Sequence, residues 1–211
     1  MDTTMKSSIK KIFCCMVCIF AFYFSVQVWA EADSHAHHKA MLKNSMSFKQ
    51  STQNYTIPDL ILQDKKGENT STADLFDDDR TILVNFIFTT CNTICPVMSG
   101  TFSQLDKQLD KIDKKVELIS ITIDPEFDTP KVLKHYAEKF KGSNKWKFYT
   151  GARDDIVKLQ TAFNAYRGSK MNHVPITLIK KQHSKEWVRI DGFASADILL
   201  QKINQLNTAK N

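Results

Sequence analysis

Two cysteines, Cys91 and Cys95, stand four positions apart, with Pro96 directly behind them. The chain has five cysteines, and the other three (Cys14, Cys15 and Cys18) fall in an apolar N-terminal stretch, where they read as small hydrophobes. If the pair straddles a strand-to-helix turn and a first helical turn, both sulfurs point the same way. Unpaired N–H groups and the helix dipole then favour thiolate over thiol. Two convergent thiolates are soft ligands suited to Cu(I), and a neutral imidazole can complete a three-coordinate site. Zinc would want a fourth protein ligand, and no third cysteine is on offer. Three residues, Asn92-Thr93-Ile94, separate the sulfurs, one more than in a thioredoxin-type redox pair. A disulfide stays open to the pair if the backbone allows the required geometry. Metal clamp, redox couple and plain structural disulfide are all chemically admissible.

The elements around the pair can be read from periodicity. Thr81 to Thr89 is a continuous apolar, β-rich run and predicts a buried central strand that delivers Cys91. Met98, Phe102, Leu105, Leu109 and Ile112 follow at helical spacing, predicting a helix from about Pro96 to Lys115. Val116 to Ile123 predicts a second buried strand. Thr129 then caps a helix with Pro130 at its first position and Val132, Leu133, Tyr136 and Phe140 on its apolar face. Trp146 to Tyr149 reads as a short strand, and Ile156, Leu159, Phe163 and Tyr166 as a third helix. Val174 to Lys180 and Glu186 to Ile190 form a closing hairpin, and Ser195 begins a last helix. Earlier, Ile57, Leu60 and Leu62 with the Asp64-Lys65-Lys66-Gly67 turn suggest an N-terminal hairpin. The expected class is α/β, a mixed sheet with helices on both faces, and the dithiol falls at a strand's carboxyl end, where such sheets place their sites.

The N-terminus reads as an export signal. Lys6, Lys10 and Lys11 precede an apolar run from Ile12 to Val28, followed by Ala30-Glu31-Ala32, which fits a small-residue cleavage rule. The run also reaches the lower limit of a membrane span, so residues 1–32 are either a signal peptide or an anchor. Either way the rest of the chain lies outside the cytoplasm, with a membrane contact possible through this segment. Residues 33–52 are polar, contain His35, His37 and His38, and read as a linker, leaving a domain over residues 53–208. Cleavage after Ala32 would place His35 third from a free amine, a square-planar Cu(II) motif set against the simpler reading of a solvated linker. Of the net charge of +6, two charges sit in residues 1–30. The remaining mild excess is spread among acidic neighbours, which argues against a nucleic-acid partner.

Two segments carry a family resemblance. Phe88-Thr89-Thr90-Cys91-Asn92-Thr93-Ile94-Cys95-Pro96 and Ile123-Asp124-Pro125-Glu126-Phe127-Asp128-Thr129-Pro130 resemble the signature segments of the Sco/SenC family, copper-delivery proteins for cytochrome oxidase with a thioredoxin-like fold. The similarity runs from about Tyr55 to Leu206. It implies copper held by Cys91, Cys95 and His173, since Met171-Asn172-His173 precedes a late apolar run as the family's third ligand does. Members commonly have Asp-His-Ser or Asp-His-Thr where this chain has Asn172-His173-Val174. Pro175 stands where thioredoxin-like oxidoreductases face their dithiol with a cis-proline. The implied function is a copper metallochaperone, a binding protein rather than a catalyst. Its partners would be an oxidase subunit or other copper acceptor and a thiol–disulfide reductant. The implied location is the periplasmic side of an inner membrane in a bacterium, or the mitochondrial inner membrane in a eukaryote. The alternative is a thiol–disulfide oxidoreductase in which Cys91 attacks and Cys95 resolves. A peroxiredoxin-type peroxidase is disfavoured, because Phe88-Thr89-Thr90 lacks the upstream Pro and Thr framework. Asp124 and Asp128 read as turn and helix-start residues, or else as groups that orient the site. Met98 and Met171 read as core and packing residues, and His135 and His183 as surface residues.

Overall fold

A computed structural model of the chain describes residues 48–77, 79–109 and 115–208. The signal or anchor at 1–32, its three cysteines, and the linker histidines His35, His37 and His38 lie outside the described residues. Among the described residues there are eight strands: β1 (Phe48–Asn54), β2 (Ile61–Asp64), β3 (Asn69–Ser71), β4 (Thr81–Ile87), β5 (Val116–Thr122), β6 (Trp146–Gly151), β7 (Ile176–Lys180) and β8 (Glu186–Gly192). Five helices accompany them: α1 (Thr72–Leu75), α2 (Ile94–Leu109), α3 (Pro130–Lys139), α4 (Arg153–Ala162) and α5 (Ala196–Thr208). A 3₁₀ turn covers Lys170–Asn172. All strands join one sheet in the order β1-β8-β7-β4-β5-β6-β2-β3. β4, β5 and β6 run parallel, while β7, β8, β1 and β2 pair antiparallel to their neighbours. This is the mixed α/β sheet the periodicity predicts, thioredoxin-like in architecture.

The two faces bury different sets of side chains because successive strand residues point opposite ways. Leu83 and Ile87 of β4 face α2, α3 and α5 through Phe102, Leu105, Leu133, Tyr136, Leu199 and Ile203. Ile82, Val84 and Phe86 face α1 and α4 through Leu75, Ile156 and Leu159. Every residue of β4 is buried, so its sequence is apolar rather than alternating, apart from Thr81 at its start and Asn85, whose Oδ1 accepts from Ser120 Oγ at 2.6 Å. Trp146 is fully buried, edge-on to Phe102 at 5.9 Å, and its Nε1–H donates to Ser120 Oγ at 2.9 Å.

Three expectations change. Residues 48–52, assigned to the linker, belong to β1, which pairs with β8 from Phe48↔Gly192 to Asn54↔Glu186. An edge strand is held by its backbone ladder, so FKQSTQN needs no apolar alternation to form it. Tyr166 lies beyond the third helix, which ends at Ala162 with Phe163 as its C-cap and Asn164 at φ 52. The helix after the dithiol begins at Ile94, ahead of Pro96, which places Pro96 inside the first turn, where its missing N–H costs nothing. Among the described residues no helix is long and apolar enough to cross a membrane.

Candidate metal centre

The end of β4 hands the chain to a tight turn, in which the Cys91 N–H donates to the Phe88 carbonyl at 3.1 Å. Cys95 follows in the first turn of α2 and is fully buried, while Cys91 is half-buried; both are free thiols. The predicted strand-to-helix placement of the pair is therefore observed. The Cys95 N–H donates to the Cys91 sulfur at 3.4 Å, and the Thr93 hydroxyl lies 3.7 Å from it. The Phe88 N–H donates to the Cys95 sulfur at 3.4 Å. Burial pushes the Cys91 thiol up, but hydrogen bonds from Cys95 and Thr93 outweigh it and hold Cys91 below the ordinary thiol range. Burial dominates at Cys95 and, with the neighbouring Cys91 adding to it, pushes that thiol well above the ordinary range. The pair is thus split into a thiolate-prone outer sulfur and a proton-retaining inner one.

His173 arrives from the other side of the sheet's end. β7 runs antiparallel to β4 with Thr177 beside Asn85, so the residues just ahead of β7 lie beyond the carboxyl end of β4. The 3₁₀ turn before it is capped by Ser169, whose Oγ accepts from the Met171 N–H at 3.3 Å. The His173 ring is buried and stands edge-on to Phe88, centroids 6.3 Å apart. Burial holds its pKa below the ordinary imidazole value, against an opposing hydrogen bond with the Phe86 backbone carbonyl. Its Nε2 is buried with no hydrogen-bond partner. Burial thus favours the neutral imidazole, and Nε2 is left without a partner in the site. Such an unpartnered, buried polar atom normally carries a penalty of about 1–3 kcal/mol. A soft donor set of two sulfurs and one oriented imidazole nitrogen fits a copper ion.

The Cys95 sulfur and the His173 ring both meet Phe88, but the two sulfurs and the imidazole are not gathered into one cluster. Among the described residues no three His, Cys, Asp or Glu side chains are grouped to enclose a metal ion. The Val174–Pro175 peptide is trans.

Asp128 and Asp124 do more than shape a turn. Asp128 is fully buried, and its carboxylate accepts from the Thr89 N–H at 3.0 Å and from the hydroxyls of Thr89 and Thr122. It joins the cysteine turn to the loop after β5. Burial raises its pKa despite these three donors. Asp124 forms an ion pair with Lys170, whose ammonium lies 5.7 Å from the Phe88 ring centroid. In the sequence Phe88 stands only as part of the cysteine segment, with no role of its own, and Lys170 is not singled out. Phe88 could have been flagged as the last apolar residue before the cysteine motif; Lys170 offers no local signal. Met98 is buried on α2 as expected. Met171, expected to be packing filler, is 78% exposed. It stands on a single 3₁₀ turn that has no helical face to bury. His135 and His183 are exposed, as read from their polar surroundings.

Residues 48–206 match the model of the SCO1/SenC family. The SCO1 protein homolog of Bacillus subtilis (strain 168) is 38% identical over 99 residues, 46% of this chain and 50% of its own length. The chain therefore spans about half the length of that curated relative. BsSco, a member of the Sco family of cytochrome c oxidase assembly proteins in which a disulfide switch was identified, superposes with a TM-score of 0.64 at 27% identity. The match covers 76% of this chain and 98% of that one. Arabidopsis thaliana ScoI, solved with copper bound, superposes with a TM-score of 0.62 at 18% identity, over 74% of this chain and 100% of that one.

Proposed function

Because the chain belongs to the SCO1/SenC family, we propose that it is a copper metallochaperone that takes up copper through Cys91, Cys95 and His173 and passes it to a cytochrome oxidase subunit. The observation that carries this reading is the buried, unpartnered Nε2 of His173 at the strand end that bears the dithiol. Cys91 binds first in this reading, as the exposed, thiolate-prone sulfur. Cys95 gives up its proton on binding, because ligation needs a thiolate. His173 Nε2 completes the site as the third ligand. Copper is the cargo, and ligand exchange moves it onward to the acceptor's own thiolates. Residues 1–32 export the chain, as a cleaved signal peptide or a retained anchor.

The test is Cu(I) titration of the reduced protein, in wild type and in His173→Ala. One copper per chain is expected, with affinity at least about tenfold lower in the variant, or ~1.4 kcal/mol. Equal affinities would remove His173 from the site, and absence of copper uptake by the wild type would remove the function.

A second reading draws on the split between the two thiols and on the disulfide switch of BsSco. In it Cys91 attacks a partner's disulfide and forms a mixed disulfide. Cys95 then displaces the partner's remaining thiol, and two electrons pass to the partner as the Cys91–Cys95 bond forms. An external thiol reductant restores the pair.

A further inference from the structure

Six large apolar side chains are exposed among the described residues: Ile61, Val97, Phe127, Tyr166, Met171 and Val174. The topology puts all six at one end of the sheet. Val97 follows the carboxyl end of β4, and Phe127 follows that of β5, its parallel neighbour. Tyr166, Met171 and Val174 precede β7, which is antiparallel to β4. Ile61 opens β2 next to Gly151, the last residue of β6. This is the end that carries Cys91. Among the described residues, the loops at the opposite end expose none of this class.

These side chains span the ends of five adjacent strands, a breadth of about 19 Å at ordinary strand spacing. That is too wide for a small ligand and suits a protein surface. Exposed apolar groups concentrated at one end of a molecule mark docking sites more often than scattered ones do. Met171 is the flexible member and Phe127 and Tyr166 are the aromatic ones, the types favoured at contact surfaces.

Charge sets the partner's chemistry. A cavity of about 280 Å³ opens between the loop after β5 and the loop before β7, with Tyr166, Arg167 and Lys170 on one wall and Glu126 and Arg153 on the other. Lys170 is taken up by Asp124. Arg153 meets Glu126 only at 3.8 Å, with both side chains more than 70% exposed, a loose surface pair. Arg167 turns its guanidinium to the carbonyls of Asn164 at 3.0 Å and Tyr166 at 2.8 Å, not to a carboxylate. Its charge is left for a carboxylate on a partner.

We propose that this end of the sheet is the docking face for the copper recipient, and that the recipient is a protein presenting an apolar patch beside a carboxylate that meets Arg167. This rests on the copper-delivery reading. Phe127, Met171 and Val97, exposed at the end that carries the outer sulfur, give the partner apolar contact while ligands exchange. Arg167 sets the orientation and speeds encounter at low salt.

The experiment uses the full chain, loaded with Cu(I), and as probe the reduced, metal-free copper-receiving domain of a cytochrome oxidase subunit. Transfer rate and complex affinity are measured for wild type, Phe127→Ser/Met171→Ser and Arg167→Glu. Lys185→Glu, beyond the far end of β7, serves as the control. Both patch variants should bind one copper as wild type does yet transfer it at least tenfold more slowly. The Arg167→Glu deficit should shrink as salt is raised, and Lys185→Glu should transfer normally. Unchanged transfer in the patch variants would overturn the proposal. So would a wild-type dimer that the patch variants dissociate without slowing transfer, since the face would then serve a second copy. If wild type takes up no copper, the function fails separately. The docking face is then judged by calorimetric affinity for the metal-free probe, and it falls if wild type and patch variants bind alike.

Discussion

Cys91 and Cys95 have the same chemistry in solution and opposite behaviour in the fold. The outer sulfur receives N–H donors and keeps some solvent, and the inner one is sealed between β4 and α2. Raising the pH should therefore ionise Cys91 first. Iodoacetamide should label Cys91 with a pH–rate midpoint below that of free cysteine measured in parallel, while Cys95 reacts slowly throughout. Equal labelling rates at both sulfurs would contradict the split. Nothing at i and i+4 in the sequence distinguishes the two thiols; the difference arises from what packs above each.

The site depends on three separate connections held in register. The cysteine turn after β4, the loop after β5 and the turn before β7 come from distant parts of the chain. Asp128 links the first two through Thr89 and Thr122, while Asp124, Lys170 and Phe88 link the second to the third. Thr129 then starts α3, with its Oγ accepting from the Val132 N–H, so the loop is anchored at its exit as well. Asp128→Ala leaves one amide and two hydroxyls without their acceptor. A loss of about 1–3 kcal/mol is expected by denaturant unfolding, with a shifted Cys91 labelling rate. Asp128→Asn retains one acceptor oxygen and should lose less. If Asp128→Ala unfolds like wild type and labels like wild type, the carboxylate is not holding the cysteine turn.

At the scale of the molecule, the faces of the sheet have different duties. The face under α2, α3 and α5 stacks Phe102, Phe140 and Phe148 around Trp146. The opposite face gathers Phe86, Phe163 and Trp187 with Phe76. Trp146→Ala should lower stability by about 3–5 kcal/mol, through lost burial and the cavity left behind. That is a large share of the ~5–15 kcal/mol typical of such domains. Equilibrium urea unfolding reads it, and a loss under 1 kcal/mol would mean that the core closes around the gap.

Local sequence determined the parts whose physics is local. β4 announced itself because a strand covered on both faces must be apolar throughout, and α3 because Thr129 and Pro130 satisfy a helix's first turn within a few residues. The cysteine pair's place at a strand-to-helix turn was legible for the same reason. β1 was not, since an edge strand draws its order from a partner's backbone, and the end of α4 before Tyr166 was not, since helical spacing continues past it. Only tertiary structure could decide that Met171 stands in water, that Asp128 clasps Thr89, and that His173 keeps an unused nitrogen beside Phe88. Each of those facts depends on which distant segment lies opposite, and chain spacing carries no record of that.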